Sequence, residues 1–163
     1  MISIGIDIGG TSIKGAAVND KGEILATYTL CIVPGDSQEK IVNDLIDLTK
    51  EFIKENKLEN IAGIGMGIPG TIDSVNGVVT YSANLKWEEL HIVEMFRKHF
   101  DFPIKITNDA NAAALGEGVF GAGKKYKNIV MITLGTGIGG GIIIDGKLFE
   151  GNLGKGAELG HTT

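Results

Sequence analysis

Two stretches of this chain repeat one another. IDIGGTSIKGAAVNDKGEIL, from Ile6, aligns with ITLGTGIGGGIIIDGKL, from Ile132, with only single-residue gaps. The alignment sets Asp7 opposite Thr133, Gly9 opposite Gly135, Gly10-Thr11 opposite Thr136-Gly137, Asp20 opposite Asp145 and Gly22 opposite Gly146. Each copy reads as strand, glycine turn, strand, Gly-containing turn, strand. A chain that carries one supersecondary plan twice is expected to build two units on it, here 1–117 and 118–163. The second unit is expected to be incomplete, since no helix or parallel strand that could cover its sheet is read before Thr163. Three strands alone leave an apolar face in water.

Between the copies the periodicity changes. Ile41, Leu45, Leu48 and Phe52 fall at helical spacing after Asp36 or Ser37 as cap, which predicts a helix to about Asn56. Ile61 to Ile68 is a short apolar run that ends in Pro69-Gly70, and Asn76-Gly77 between Ile72 and Val78-Val79 is a hairpin turn. Ile92 to Phe100 reads as an amphipathic helix and Ile104 to Thr107 as a brief strand. Asp109-Ala110-Asn111 then opens an Ala-rich helix toward Phe120, its far end loosened by Gly116, Gly118, Gly121 and Gly123. Strands and helices so mixed give an α/β fold.

Composition excludes several classes. Fifteen Lys+Arg against 20 Asp+Glu leave a net charge of −5, so no chain-wide positive field holds nucleic acid. The single cysteine, Cys31, can form neither an internal disulfide nor a Cys-rich zinc site, which fits a reducing cytoplasm. It reads as a small buried hydrophobe. MISIGIDIGG lacks the basic start of a secretory signal, and the uncharged stretch from Ile129 to Ile144 is shorter than the ~20 residues a membrane helix needs. Lys124, Lys125 and Lys127 read as a solvated loop, and His91 and His99 as helix-surface residues. Trp87 either packs under a loop or lines a cleft.

Glycine is in excess, 25 of 163 residues, about 15% against a usual ~7%. In a hairpin turn, Gly-Gly-Thr or Gly-Thr-Gly leaves unobstructed backbone N–H groups that can converge on a phosphate, so two such turns can clasp one nucleotide. The simpler reading is a glycine satisfying positive φ, and its recurrence at equivalent positions weighs against that. Asp7 ends its strand beside the first turn, where a carboxylate can hold a phosphate-bound Mg²⁺, or can merely cap the turn. Both turns lead into strands, so neither a P-loop nor a dinucleotide fingerprint is present.

Six ordered motifs carry a family resemblance. They are GIDIGGTSIKGAAV at Gly5, GIGMGIPGTID at Gly63, SANLKWEEL at Ser82, TNDANAAALGE at Thr107, TLGTGIGGGIIIDGKL at Thr133 and ELGH at Glu158. Together they resemble the N-terminal half of the ROK sugar kinases and repressors, glucokinase-like members of the actin-type ATPase superfamily. The resemblance implies an actin-like ATPase (ribonuclease H-like) fold, with one complete domain and the truncated start of a second. It also implies transfer of a phosphoryl group from ATP, with Mg²⁺, to a hexose hydroxyl, glucose to glucose 6-phosphate first. Fructose, mannose, allose and N-acetylmannosamine are the alternatives.

By the same resemblance Asp109 is the catalytic base, although without the family it is an N-cap. Asp7, Gly9, Gly10, Thr11, Lys14, Gly135, Thr136 and Gly137 hold phosphate and Mg²⁺. Gly70, Asn84, Asn108, Asp109, Glu158 and His161 bind the sugar; read alone, the asparagines are turn formers. In the family the histidine also joins three downstream cysteines around a structural zinc, and those cysteines are absent from this sequence, as are the adenine-binding segments. A chain of this extent is expected to be inactive alone and, within a full-length protein, to form a homo-oligomer. The repressor alternative carries a DNA-binding segment ahead of the first strand, which here begins at Ile2. An actin-like filament protein would not need the sugar motifs.

Overall fold

A computed structural model describes residues 1–135 and 137–151. Its order begins with three strands, β1 (Ile2–Ile8), β2 (Ser12–Asn19) and β3 (Ile24–Cys31), followed by helix α1 (Gln38–Glu55) and β4 (Ile61–Ile68). Three short strands come next, β5 (Thr71–Asp73), β6 (Val78–Ser82) and β7 (Trp87–Leu90). Then follow α2 (Ile92–Arg97), β8 (Ile104–Asn108), α3 (Asp109–Val119), β9 (Ile129–Leu134), β10 (Ile138–Ile144) and β11 (Lys147–Leu148).

The main sheet has the order β3-β2-β1-β4-β8. Tight turns make β1-β2 and β2-β3 antiparallel, whereas β4 joins β1, and β8 joins β4, in parallel after longer connections. In β1 the alternation of the sequence becomes alternation of faces: Ile4, Ile6 and Ile8 are buried, and Ser3, Gly5 and Asp7 are exposed. The buried face shares its core with Ile41, Val42, Leu45 and Ile46 of α1; of the four residues that helical spacing selects, Ile41, Leu45 and Phe52 are buried, whereas Leu48 is half-buried. Ser37 is the cap of α1, its Oγ accepting from Lys40 N–H at 3.2 Å. Ile92, Val93 and Phe96 of α2 complete the same core. On the opposite side of the sheet α3 packs on β4 and β8. Among the described residues no helix is long and apolar enough to cross a membrane.

The repeat is visible as matched register. Ile8 pairs with Ile13 and Asp7 with Lys14 in the first copy; Leu134 pairs with Ile138 and Thr133 with Gly139 in the second. The alignment makes these pairs equivalent, and its gap falls in the turn, 9–12 in one copy and 135–137 in the other. Among the described residues the second sheet, β11-β10-β9, lies against α3 with one face. Val130, Ile132, Leu134, Ile138 and Ile144 of the other face are exposed.

Three expectations are corrected. Cys31 is exposed, because β3 turns Leu30 toward α1 and therefore turns the next residue outward on an edge strand. Helix α2 stops at Arg97 rather than Phe100, and Phe100 still reaches the core through a stack with Phe96 at 5.7 Å between ring centroids. The glycines at the end of α3 do not loosen it: the helix runs to Val119, and a Cβ on Gly118 would meet Ile143 Cδ1 at 2.8 Å, so a small residue lets the second sheet close on the helix. His91, His99, Lys124, Lys125 and Lys127 are exposed as read.

Candidate active site

The site grows from the end of β8, where the strand passes without a loop into α3. Asn108, not Asp109, caps this helix. Its Oδ1 accepts from Ala110 N–H at 2.9 Å and from Asn111 N–H at 3.4 Å, and its Nδ2 donates to Gly70 O at 3.2 Å. One amide thus closes the helix end and fixes the Pro69-Gly70 loop to it. Asp109 moves to the first helical position, where its Oδ1 accepts from Ala110 N–H at 2.9 Å and its side chain stays exposed. A carboxylate there also lies in the favourable field of the helix N-terminus.

Gly70 needs to be glycine twice over. Its φ is +120°, and a Cβ would run into Tyr81 O and come within 2.9 Å of Ser82 Cα, so the loop lies directly on β6. Beyond β6 the chain turns through exposed Asn84, whose side chain makes no hydrogen bond among the described residues. Trp87, which follows this loop, belongs to the core, 1% exposed and cross-strand from Ser82, and lines neither of the cavities described below. In the first glycine turn Gly9 N–H donates to Ser12 O at 3.0 Å, while the N–H groups of Gly10 and Thr11 meet no backbone acceptor among the described residues. A Cβ on Gly10 would stand 3.7 Å from Asn84 O, so this turn borders the Asn84 loop. In the second turn Gly135 N–H donates to Gly137 O at 2.9 Å.

A cavity of about 520 Å³ gathers these parts. Gly70, Asn84, Asn108 and Asp109 line it together with Gly135 and Gly137. A larger hollow of about 1230 Å³ spreads over the open face of the main sheet and is lined by Asp7, Lys14, Thr107 and again Asp109. Asp109 is therefore shared by the two. Asp7 and Lys14 are exposed cross-strand partners. A divalent cation on a nucleotide needs one or two carboxylates and keeps several waters, and Asp7, with Asp109 on the same hollow, fits that donor set. Among the described residues no three His, Cys, Asp or Glu side chains cluster to hold a metal alone. Thr136, Glu158 and His161, the last with the zinc expectation attached to it, lie outside the described residues.

Asn111 belongs to the cavity lining and was not singled out from the sequence. The signal was an amide inside an alanine run, where it disfavours the helix and therefore asks for another reason to be there.

The ROK family profile matches residues 3–163. This chain belongs to the ROK family. Glucokinase of Streptomyces coelicolor is 38% identical over 160 residues, 98% of this chain and 49% of that protein. The xylose repressor of Caldicellulosiruptor bescii is also 38% identical, over 98% of this chain and 41% of that protein. A ROK family glucokinase from Streptomyces griseus, crystallised with glucose and AMPPNP, superposes with a TM-score of 0.87 at 36% identity, over 99% of this chain and 50% of that one. The fold is that of these ROK proteins and of actin-like ATPases. The chain spans about half the length of the curated relatives it matches.

Proposed function

We propose that this ROK segment is the sugar-binding and catalytic half of an ATP-dependent hexose kinase, glucose being the first substrate to test. The observation that carries the reading is the single cavity in which Asp109, Asn84 and the Gly70 loop face the Gly135–Gly137 turn. A kinase needs such a meeting of an acceptor hydroxyl and a phosphate clamp. In the proposed step Asp109 accepts the proton of the attacking hydroxyl, that oxygen forms a bond to the γ-phosphorus, and the bond to the departing ADP breaks in line. The exposed Asp109 carboxylate at the first turn of α3 spends one oxygen on Ala110 N–H and keeps the other for a ligand. Asn84 adds an unengaged amide that can both donate to and accept from a diol.

Asp7 would hold the nucleotide's Mg²⁺, directly or through water, which supplies charge neutralisation at the phosphates. The turns at Gly9–Thr11 and Gly135–Gly137 would take the phosphates from the two copies of the repeat, one in each of the units 1–117 and 118–163. The glucokinase relatives and the glucose-bound structural neighbour support a sugar kinase, and the phosphoryl donor and the particular hexose belong to this proposal.

The xylose repressor of Caldicellulosiruptor bescii shares the same segment at the same 38% identity, so a sugar-sensing regulator is the second reading. A coupled ADP-release assay on the full-length protein with a panel of hexoses separates the two. A kinase turns over, and Asp109→Asn lowers kcat/KM by roughly 10²- to 10⁴-fold with sugar binding retained. Equal turnover by Asp109→Asn removes the base assignment. Sugar-dependent DNA retention without turnover favours the regulator.

A further inference from the structure

The loop that carries Asn84 is tied down from a distance. It spans 83–86 and joins β6 to β7, whose closing pair is Ser82 with Trp87. Among the described residues β7 is an edge strand with β6 as its neighbour, in the order β5-β6-β7. Its short course includes left-handed backbone at residues other than glycine: Lys86, the last of the loop, has φ +56°, and Glu89 has φ +46°. Such conformations cost free energy and persist only where the surroundings over-determine them. Glu88 sits between them, and both of its backbone groups go to one side chain, that of Gln38. Gln38 Oε1 accepts from Glu88 N–H at 3.0 Å, and Gln38 Nε2 donates to Glu88 O at 3.2 Å. The same Nε2 also donates to Glu39 Oε1 at 3.1 Å, so the amide is satisfied in one orientation only.

Gln38 opens α1, and the segment that leads into it is fastened at its other end, where Ile32 N–H donates to Thr11 O of the first glycine turn at 3.0 Å. That turn borders the Asn84 loop, because a Cβ on Gly10 would stand 3.7 Å from Asn84 O. The turn, the segment 32–38 and the stretch 83–88 therefore close a ring beside the cavity that Asn84 lines, and the Gln38 amide is its side-chain link. Glu88 is exposed, so water could take over both of its hydrogen bonds at little cost in stability. Water does not supply direction. A two-point clamp fixes where the strand starts, and hence where a side chain four residues earlier stands against the glycine turn. We propose that Gln38 is a positioning residue for the sugar: its amide clamps the Glu88 backbone and thereby holds Asn84 in the cavity. This rests on the reading of Asn84 as a sugar contact, and it adds a residue that lines neither cavity.

The test is a double-mutant cycle on the full-length protein, with Gln38→Met, Asn84→Ala and the two together, read by calorimetry as affinity for glucose and for Mg²⁺–AMPPNP. Methionine keeps the length of the side chain and removes the amide. Gln38→Met is expected to weaken glucose about tenfold, as much as one well-placed hydrogen bond contributes, and to leave Mg²⁺–AMPPNP within about twofold. In the Asn84→Ala background the same substitution should cost nothing more, since it acts through that side chain. Glucose affinity unchanged in Gln38→Met overturns the proposal, and a lower melting temperature beside it identifies a merely structural clamp. Equal losses in both backgrounds also overturn it, as does a matching loss for Mg²⁺–AMPPNP, which would mean that the whole ring has loosened. Should Gln38→Met fold too poorly to titrate, Gln38→Glu takes its place in the cycle. It keeps the acceptor for Glu88 N–H and lacks the donor for Glu88 O, so a glucose loss of about threefold is expected and no loss overturns the proposal. Wild-type protein that does not bind glucose, or Asn84→Ala that binds it as wild type does, defeats the sugar reading and the proposal with it. A loss in Asn84→Ala without one in Gln38→Met defeats the proposal alone.

Discussion

Asn108 and Asp109 divide labour that either could perform, and that is why the sequence placed the cap one residue late. Both types accept from helix N–H groups, so TNDAN admits either as N-cap, and only the turn of the backbone after β8 decides for Asn108. With Asn108 as the cap, Asp109 takes the first helical position, where one carboxylate oxygen accepts from Ala110 N–H and the exposed side chain lines the cavity. Replacing Asn108 by Ala removes both the cap and the tie to Gly70 O, and should lower the unfolding free energy in urea by about 1 kcal/mol. Asn108→Ser keeps the cap acceptor and should recover most of that stability, but not the position of the Gly70 loop; its KM for sugar should rise more than its kcat falls. At Tyr28 the residue scale also sets a pH dependence. Its Oη is hydrogen-bonded to Thr49 Oγ1 at 2.8 Å, and burial pushes the phenol up to about 12 against the opposing pull of that bond. A phenol held protonated in the folded state stabilises it below the unfolded pKa near 10, and that contribution is lost as pH rises toward 12. It amounts to roughly 2 kcal/mol. Melting temperature should therefore fall more steeply between pH 10 and 11 in wild type than in Tyr28→Phe; parallel slopes would assign the alkaline loss elsewhere.

At the scale of elements, the readable ones are those whose local chemistry and burial agree. Helix α1 has a serine cap and a single apolar stripe, and Asn76-Gly77 sets its hairpin with Gly77 at φ +76°. Strand β7 escaped because WEEL places two glutamates on a strand. It is held by β6 on one side, and on the other Glu88 exchanges two hydrogen bonds with the Gln38 side chain, at 3.0 and 3.2 Å. A side chain fifty positions away that imitates a neighbouring strand leaves no trace in local pattern. The exposure of Cys31 was missed for a similar reason, since which face of an edge strand is covered depends on where α1 lands. Contact between α3 and β10 was equally hidden, and it depends on glycine. In Gly141→Ala the new methyl would run into Ala114 Cβ and approach Ala110 O at 2.9 Å. Overpacking of this kind costs about 1–3 kcal/mol. The loss should appear as faster amide exchange in β9 and β10, with β1 and β4 unaffected; uniform acceleration would mean that the two sheets unfold as one.

For the whole molecule, the internal repeat was the most legible feature because a duplicated register is written in sequence order, turn by turn. What lies on either side of each sheet is not, since covering elements can come from anywhere along a chain. The main sheet has α1 and α2 on one face and α3 on part of the other, whereas among the described residues α3 is the helix that packs on β9-β10-β11. Its outer face shows Leu134 at 81% exposure, Val130 at 64% and Ile132 at 58%, and Ile138 stands across from Leu134. Contiguous apolar surface of this kind is rare on monomeric proteins, and burying it is favourable by about 25 cal/mol per Å². The polypeptide of 163 residues should therefore associate in a concentration-dependent manner in sedimentation velocity. Ile132→Lys with Leu134→Lys should shift it toward monomer. The same pair should leave the melting of the main sheet in place, because neither residue touches the core built on α1. A wild-type chain that sediments as a single monomer at every concentration would show that this face tolerates water, and that packing against α3 alone suffices to stabilise the second sheet.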